Sequence, residues 1–140
     1  MSRHHSKRIS TKMVAPGAPR EEDRLSLVTG IAIALFALTL LVYARTIRQA
    51  QFVNYDDEVY ITQNPVVPHG VSPAGVWWAF HTWEASNWHP LTWLSLELDG
   101  TLYGLDASGY HLSNVLLHAA SAGLLFGVLW LWTKAMWRSA

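Results

Sequence analysis

The sequence predicts an all-α membrane protein: two transmembrane helices joined by an external loop that carries short amphipathic, membrane-parallel helices. Hydrophobic residues make up 51% of the 140 positions and are gathered into two uncharged runs, which is not the layout of a water-soluble core. The cations are sorted as well. Arg3, Lys7, Arg8, Lys12, Arg20 and Arg24 precede the first run, and no Lys or Arg lies between Gln49 and Lys134. Of the eight Trp residues, Trp77, Trp78, Trp83, Trp88 and Trp93 cluster between the runs, where amphipathic rings suit the boundary of lipid and water.

Residues 1–24 read as a basic, flexible cytoplasmic tail, interrupted by Pro16, Gly17 and Pro19; His4 and His5 read as surface residues. The run from Leu25 to Tyr43 carries no charge and as a helix spans roughly 28 Å, close to the hydrocarbon thickness of a bilayer. It defines transmembrane helix 1 over 25–44. The run is longer than a signal-peptide core and no small-x-small cleavage site follows, so an uncleaved anchor is expected. The excess of cations before this span places the N-terminus in the cytoplasm, which makes 45–110 an extracytoplasmic loop. Arg45 and Arg48 stand at the outer end, where they can snorkel to headgroups or meet phosphate.

Within the loop, Ser72-Pro73 is a helix start, a side-chain cap followed by a residue that has no N–H to satisfy. Val76, Trp77 and Phe80 then share one side at helical spacing. Pro90 starts a second helix, with Gly100 as its stop, Leu91, Leu94 and Leu98 on one face, and Thr92, Ser95 and Asp99 turned away from it. Both helices are expected to lie along the membrane. Transmembrane helix 2 covers 111–133, with an uncharged core from Val115 to Trp132, and 134–140 returns to the cytoplasm with Lys134 and Arg138. Ala119, Gly123 and Gly127 form a small-residue stripe that admits another helix, and further transmembrane helices are the expected partners. His118 within this span is expected to be hydrogen-bonded to a neighbouring helix.

The chemistry-bearing stretch is Phe52 to Val67, where Asp56, Asp57 and Glu58 sit in succession shortly after the first span. A carboxylate beside lipid is costly to desolvate, so it is a candidate base, metal ligand or charge stabiliser; a solvated acidic turn is the simpler reading. Neighbouring acids point in different directions on a strand or a helix, so one acts and another supports. His69, His81, His89 and His111 share the loop segment at separations that match no compact metal signature. There is no nucleophile elbow, glycine-rich phosphate loop or HExxH pair. The loop has acids and no Lys or Arg beyond Gln49, which excludes nucleic acid as its partner, and the absence of cysteine excludes disulfides and thiolate metal sites.

A set of residues carries a resemblance. Phe52-Val-Asn-Tyr-Asp56-Asp57 with Ile61, Asn64 and Val66-Val67, then Trp88-His89-Pro90-Leu91-Thr92-Trp93-Leu94-Ser95, Gly104-Leu105, and Gly109-Tyr110-His111-Leu112 with Asn114 and Leu116-Leu117-His118-Ala119, resembles the N-terminal part of the transmembrane, tetratricopeptide-repeat-containing protein O-mannosyltransferases and their bacterial relatives. The resemblance runs from about Phe52 to Ala119.

It implies a GT-C type glycosyltransferase that takes a sugar, mannose, from a polyprenyl-phosphate donor and places it on Ser or Thr hydroxyls of an acceptor protein outside the cytoplasm. Asp56 and Asp57 fall on the family's paired active-site acids, with Glu58, His89 and His111 as supporting candidates and Arg45 and Arg48 as phosphate-binding candidates. Asp56 is the expected base. The charge that develops on the departing phosphate calls for a cation, an Arg or a divalent metal. Such enzymes have many more spans and a repeat domain, whereas no 34-residue repeat is visible here, so this chain reads as a fragment or as one piece of an assembly, inactive in isolation. The alternative is a non-enzymatic two-span membrane module whose Trp-rich loop binds lipid or a partner protein.

Overall fold

The computed structural model describes residues 20–134. Expectations for residues 1–19 and 135–140, including most of the basic tail, His4, His5 and Arg138, lie outside the described residues. Those described are all-α, with no strand among them. Four α-helices follow in order: α1 (Glu21–Arg48), α2 (Pro73–His81), α3 (Pro90–Tyr103) and α4 (Ala107–Thr133). Helices α1 and α4 are each long and apolar enough to cross a membrane.

Both long helices extend past their uncharged runs. Glu21, Glu22 and Asp23 occupy the first turn of α1 while Arg45 and Arg48 occupy its last, so charge of each sign meets the helix end that favours it. Residues 21–24, expected in the tail, are therefore helical. Helix α4 begins at Ala107, earlier than expected, where the Asp106 carboxylate accepts the Ser108 N–H at 2.9 Å.

Val28 is the one buried residue of α1, while Leu27, Ile33, Leu38, Leu41 and Val42 stand exposed. That much apolar helix surface is stable only against lipid or other helices, which fits a membrane-spanning segment. The two helices pack antiparallel along the small-residue stripe. Ala119 is fully buried, and a Cβ on Gly123 would lie 3.4 Å from the Ala32 carbonyl oxygen. The helix admitted by the first part of the stripe is thus α1 itself; Gly127 faces open space.

Between the spans, a small core forms around Ile61, Val67, Ala79, Trp93 and Tyr110. Helix α2 starts as its sequence dictates, with the Ser72 hydroxyl accepting the Gly75 N–H at 3.0 Å and Pro73 in the first turn. Its small residues Gly75 and Ala79 face inward, and Val76, Trp77 and Phe80 face out.

Helix α3 departs from expectation in two respects. Gly100 does not end it: the helix runs on to Tyr103 and stops at Gly104, which adopts a φ of 61°. Gly100 is instead a point of close approach, where a Cβ would collide with the Val67 carbonyl oxygen. The inward face is also different. Trp93, Glu97, Asp99 and Gly100 are buried, whereas Leu91 and Leu98 point outward and Leu94 is half-buried. Asp99 does not turn to solvent; it accepts a hydrogen bond from the Ser113 hydroxyl of α4.

Candidate functional site

The acidic stretch leaves α1 through an irregular segment and enters a π-helical turn, Glu58–Thr62. One attachment ties it to a span and two brace it internally. The Phe52 ring meets the Tyr110 ring edge-on at 5.5 Å, which pins the start of the segment to the first turns of α4. The Val53 N–H donates to Asp57 Oδ2 at 2.8 Å. Asn64 closes the far side: its Oδ1 accepts from the N–H groups of Val66 and Val67 at 2.9 and 3.0 Å, and its Nδ2 donates to the Val59 carbonyl at 3.3 Å. Asn64 is buried, and its amide is satisfied by the backbone around it, including the buried N–H of Val67.

These constraints separate the three acids. Asp57 is half-buried and lines a cavity of about 210 Å³ together with Phe52, Ile61, Tyr110, His111 and Asn114. Asp56, the preceding residue, is exposed and does not line this cavity, and its side chain makes no hydrogen bond among the described residues. The Glu58 carboxylate faces the side-chain amide of Asn54 at 3.1 Å. The carboxylates thus divide into one fixed by a backbone N–H, one free, and one engaged with an amide.

The other candidates are placed as follows. His111 shares the cavity with Asp57. His89 does not line it. It is half-buried in an aromatic cluster, its ring 5.7 Å from Tyr60 and 5.0 Å from Trp93, while Tyr60 stacks on Trp93 at 5.1 Å. Arg45 and Arg48 are exposed at the end of α1, where the Arg45 guanidinium donates to Gln49 Oε1 at 3.2 Å, and neither lines this cavity. Among the described residues no three His, Asp or Glu side chains come together as a metal-binding set. These residues by themselves do not make a divalent-metal site.

A second cavity, about 400 Å³, adjoins the first, because His111 and Asn114 line both. It lies between the end of α1 and the early part of α4 and adds Tyr43, Thr46, Val115 and His118. His118 makes no hydrogen bond here; its ring meets Tyr43 of α1 edge-on at 5.7 Å.

Two acids of α3 are buried, and the sequence singles out neither as a site candidate. Glu97 is 0% exposed and lies against Gly75 of α2, and neither of its oxygens has a hydrogen-bond partner. Burial pushes its carboxyl above the usual glutamate value. The Asp99 carboxyl is likewise raised by burial, with the Ser113 hydroxyl pulling in the opposite direction. A signal existed for Glu97: it stands one helical turn after Trp93, on the same face.

No protein-family model matches the chain, and no solved structure matches it. Among curated proteins it is similar to protein O-mannosyl-transferase tmtc2 of Xenopus laevis, at 38% identity over 95 residues. The match takes in 63% of this chain and 11% of that protein, so the chain spans about a tenth of the length of the relative it matches. This supports a partial relationship to proteins of that kind.

Proposed function

We propose that this chain is the N-terminal membrane hairpin of a glycosyltransferase that moves a sugar, mannose, from a polyprenyl-phosphate donor to Ser or Thr hydroxyls of an acceptor protein. Both chain ends face the cytoplasm and residues 45–110 lie on the other side. The observation that carries the reading is the placement of the paired acids. Asp57 is held by the Val53 N–H in a cavity shared with His111 and Asn114, where the loop meets the start of α4, and the neighbouring Asp56 is exposed, with no hydrogen bond among the described residues. A solvated acidic turn needs neither the fixed carboxylate nor the cavity. The partial similarity to an O-mannosyl-transferase points the same way.

The chemistry follows from the division between the two acids. A hydroxyl is a poor nucleophile near neutral pH, so a carboxylate within hydrogen-bond reach accepts its proton as the oxygen attacks the anomeric carbon. Asp56, with no competing hydrogen bond, takes that role. The bond from the anomeric carbon to the phosphate oxygen breaks with its electron pair leaving on the lipid phosphate, and direct displacement inverts the anomeric centre. Asp57 is the positioning acid: held by backbone, it keeps the segment and the cavity in register. Further transmembrane helices complete the enclosure of the donor.

The test is transfer of labelled mannose from a polyprenyl-phosphate donor to a Ser/Thr peptide by the full-length natural protein in liposomes. Asp56→Asn should lower the rate by about 100-fold or more, the scale of a lost general base, without removing the protein from the membrane. Undiminished transfer by that variant refutes the assignment. The second reading, a non-enzymatic module, draws on the outward Trp77, Trp83 and Trp88. It is favoured if the wild type transfers no sugar yet its loop still binds lipid.

A further inference from the structure

Helix α2 has nine residues, too few to hold as a helix in water alone, so it keeps its form by packing on α3. The packed face is slight. Its buried residues are Gly75 and Ala79, with the half-buried Trp78 ring edge-on to Trp93 at 5.0 Å, while Trp77 and Phe80 stand exposed. At Gly75 the contact is polar: the Glu97 carboxyl lies so close that a Cβ there would collide with it. Glu97 is fully buried and neither of its oxygens has a hydrogen-bond partner. The loop offers it no cation, since no Lys or Arg lies between Gln49 and Lys134. The titratable side chains on the elements around it are engaged elsewhere. His81 of α2 is exposed and stacks on Trp77, His69 is exposed, Tyr60 stacks on Trp93, and the Tyr110 hydroxyl of α4 sits beside Gly100. On α3 itself, Asp99 accepts from Ser113, and His89 lies about two turns earlier in the aromatic cluster.

An ionised carboxylate in that place has neither water nor a partner, whereas the neutral acid loses far less on burial. Burial accordingly pushes the Glu97 carboxyl above the usual glutamate value. Relief does not require the chain to unfold. A short, weakly packed helix opens locally at a lower free energy than the whole structure, and water then reaches the carboxylate. We propose that α2 is latched onto α3 by protonated Glu97 and lifts away when that carboxyl ionises, so the loop is closed at acid pH and opens as pH rises. The ends of the moving segment are defined. On one side Gly70 has a φ of 76° and the Val71 N–H donates to Thr101 Oγ1 of α3 at 2.8 Å; on the other the Trp88 indole N–H donates to the Phe80 carbonyl at 3.0 Å. The consequence reaches the acidic segment. Trp93, which Trp78 of α2 covers, also stacks on Tyr60 in the π-helical turn that begins at Glu58, so opening removes support from the turn that follows the paired acids. None of this depends on the sugar chemistry, and the loss of either proposal leaves the other standing.

Hydrogen exchange of the full-length natural protein in nanodiscs, from pH 5 to pH 8 and corrected for the intrinsic pH dependence of amide exchange, reads the opening. The α2 amides should exchange ahead of those of α3 and α4 at every pH. Their protection should fall by about tenfold for each pH unit, the slope of one released proton, until the docked carboxyl is ionised, and then level off. Glu97→Gln and Glu97→Met remove the charge by different chemistry at similar length, and each should hold α2 protection constant across the range. If one variant fails to fold, the other and the wild-type profile decide. A wild-type α2 protection that does not change with pH overturns the proposal, and so does a pH dependence that survives in both variants, which would assign the proton to another group. Protection of α2 equal to that of α3 throughout also overturns it, because Glu97 would then meet water only when the loop unfolds as a whole.

Discussion

Glu97→Gln is the perturbation with the clearest consequence for stability. The Glu97 side chain is fully buried where α3 packs on α2, both oxygens lack partners, and a Cβ at Gly75 of α2 would collide with its carboxyl group. Its carboxyl is raised by burial, so the folded protein holds a proton that the unfolded chain releases above the usual glutamate value of about 4.3. The sign follows. Below that value both states are protonated and ionisation contributes nothing to the difference between them. As pH rises from there towards the folded value, the unfolded state binds fewer protons, and stability falls by about 1.4 kcal/mol for each pH unit. Above the folded value the loss is complete. Glutamine has nearly the same volume and does not titrate, so the variant should match the wild type at the acid end and exceed it progressively above. The assay is unfolding of both proteins in nanodiscs from pH 4 to 8, followed by tryptophan fluorescence, since Trp93 and Trp78 pack in the same core. Parallel pH profiles would refute the reasoning, because they would mean that Glu97 is ionised to the same extent in both states.

Two further substitutions test the packing that positions the site. Ser113→Ala leaves the Asp99 carboxylate buried without its hydroxyl partner, which should cost about 1 to 3 kcal/mol. It should also raise the Asp99 carboxyl further, so the destabilisation should grow as pH rises through that range; unfolding of this variant at pH 5 and pH 8 checks both. Gly100→Ala places a methyl group against the Val67 carbonyl and should destabilise the loop by about 1 to 3 kcal/mol despite alanine's better helix propensity. Faster hydrogen exchange in α3 is the readout, and unchanged protection would show that Val67 yields without cost.

The spans and the helix starts were legible because lipid and capping impose strong local rules. An uncharged run of bilayer length and a Ser-Pro start each have one dominant structural outcome. The inward face of α3 was not legible. Apolar residues stand on both sides of α3, so the leucine pattern does not say which side packs; Leu91 and Leu98 face out, while Trp93, Glu97 and Gly100 face in. Gly100 misled for a related reason, since a glycine serves a helix end and a close contact equally well, and only Gly104 has the positive φ of an end. The neighbouring acids could be named from sequence, but not told apart. Phe52 against Tyr110 fixes the start of the segment, and that contact is a tertiary fact, whereas the bonds from Asn64 to the Val66 and Val67 N–H groups are local. His111, Asn114 and His118 could have been grouped by their spacing, whereas the aromatic setting of His89 needed the fold.

The account stands on the paired acids lying at the outer surface of the membrane. The chain has no cysteine, so a single reporter thiol can be placed without background at Tyr55, which is 81% exposed and adjacent to Asp56. In intact cells, Tyr55→Cys should react with a membrane-impermeant maleimide applied from outside. A thiol that stays unlabelled from outside and reacts only once the cytoplasmic face is opened to the reagent would contradict the account.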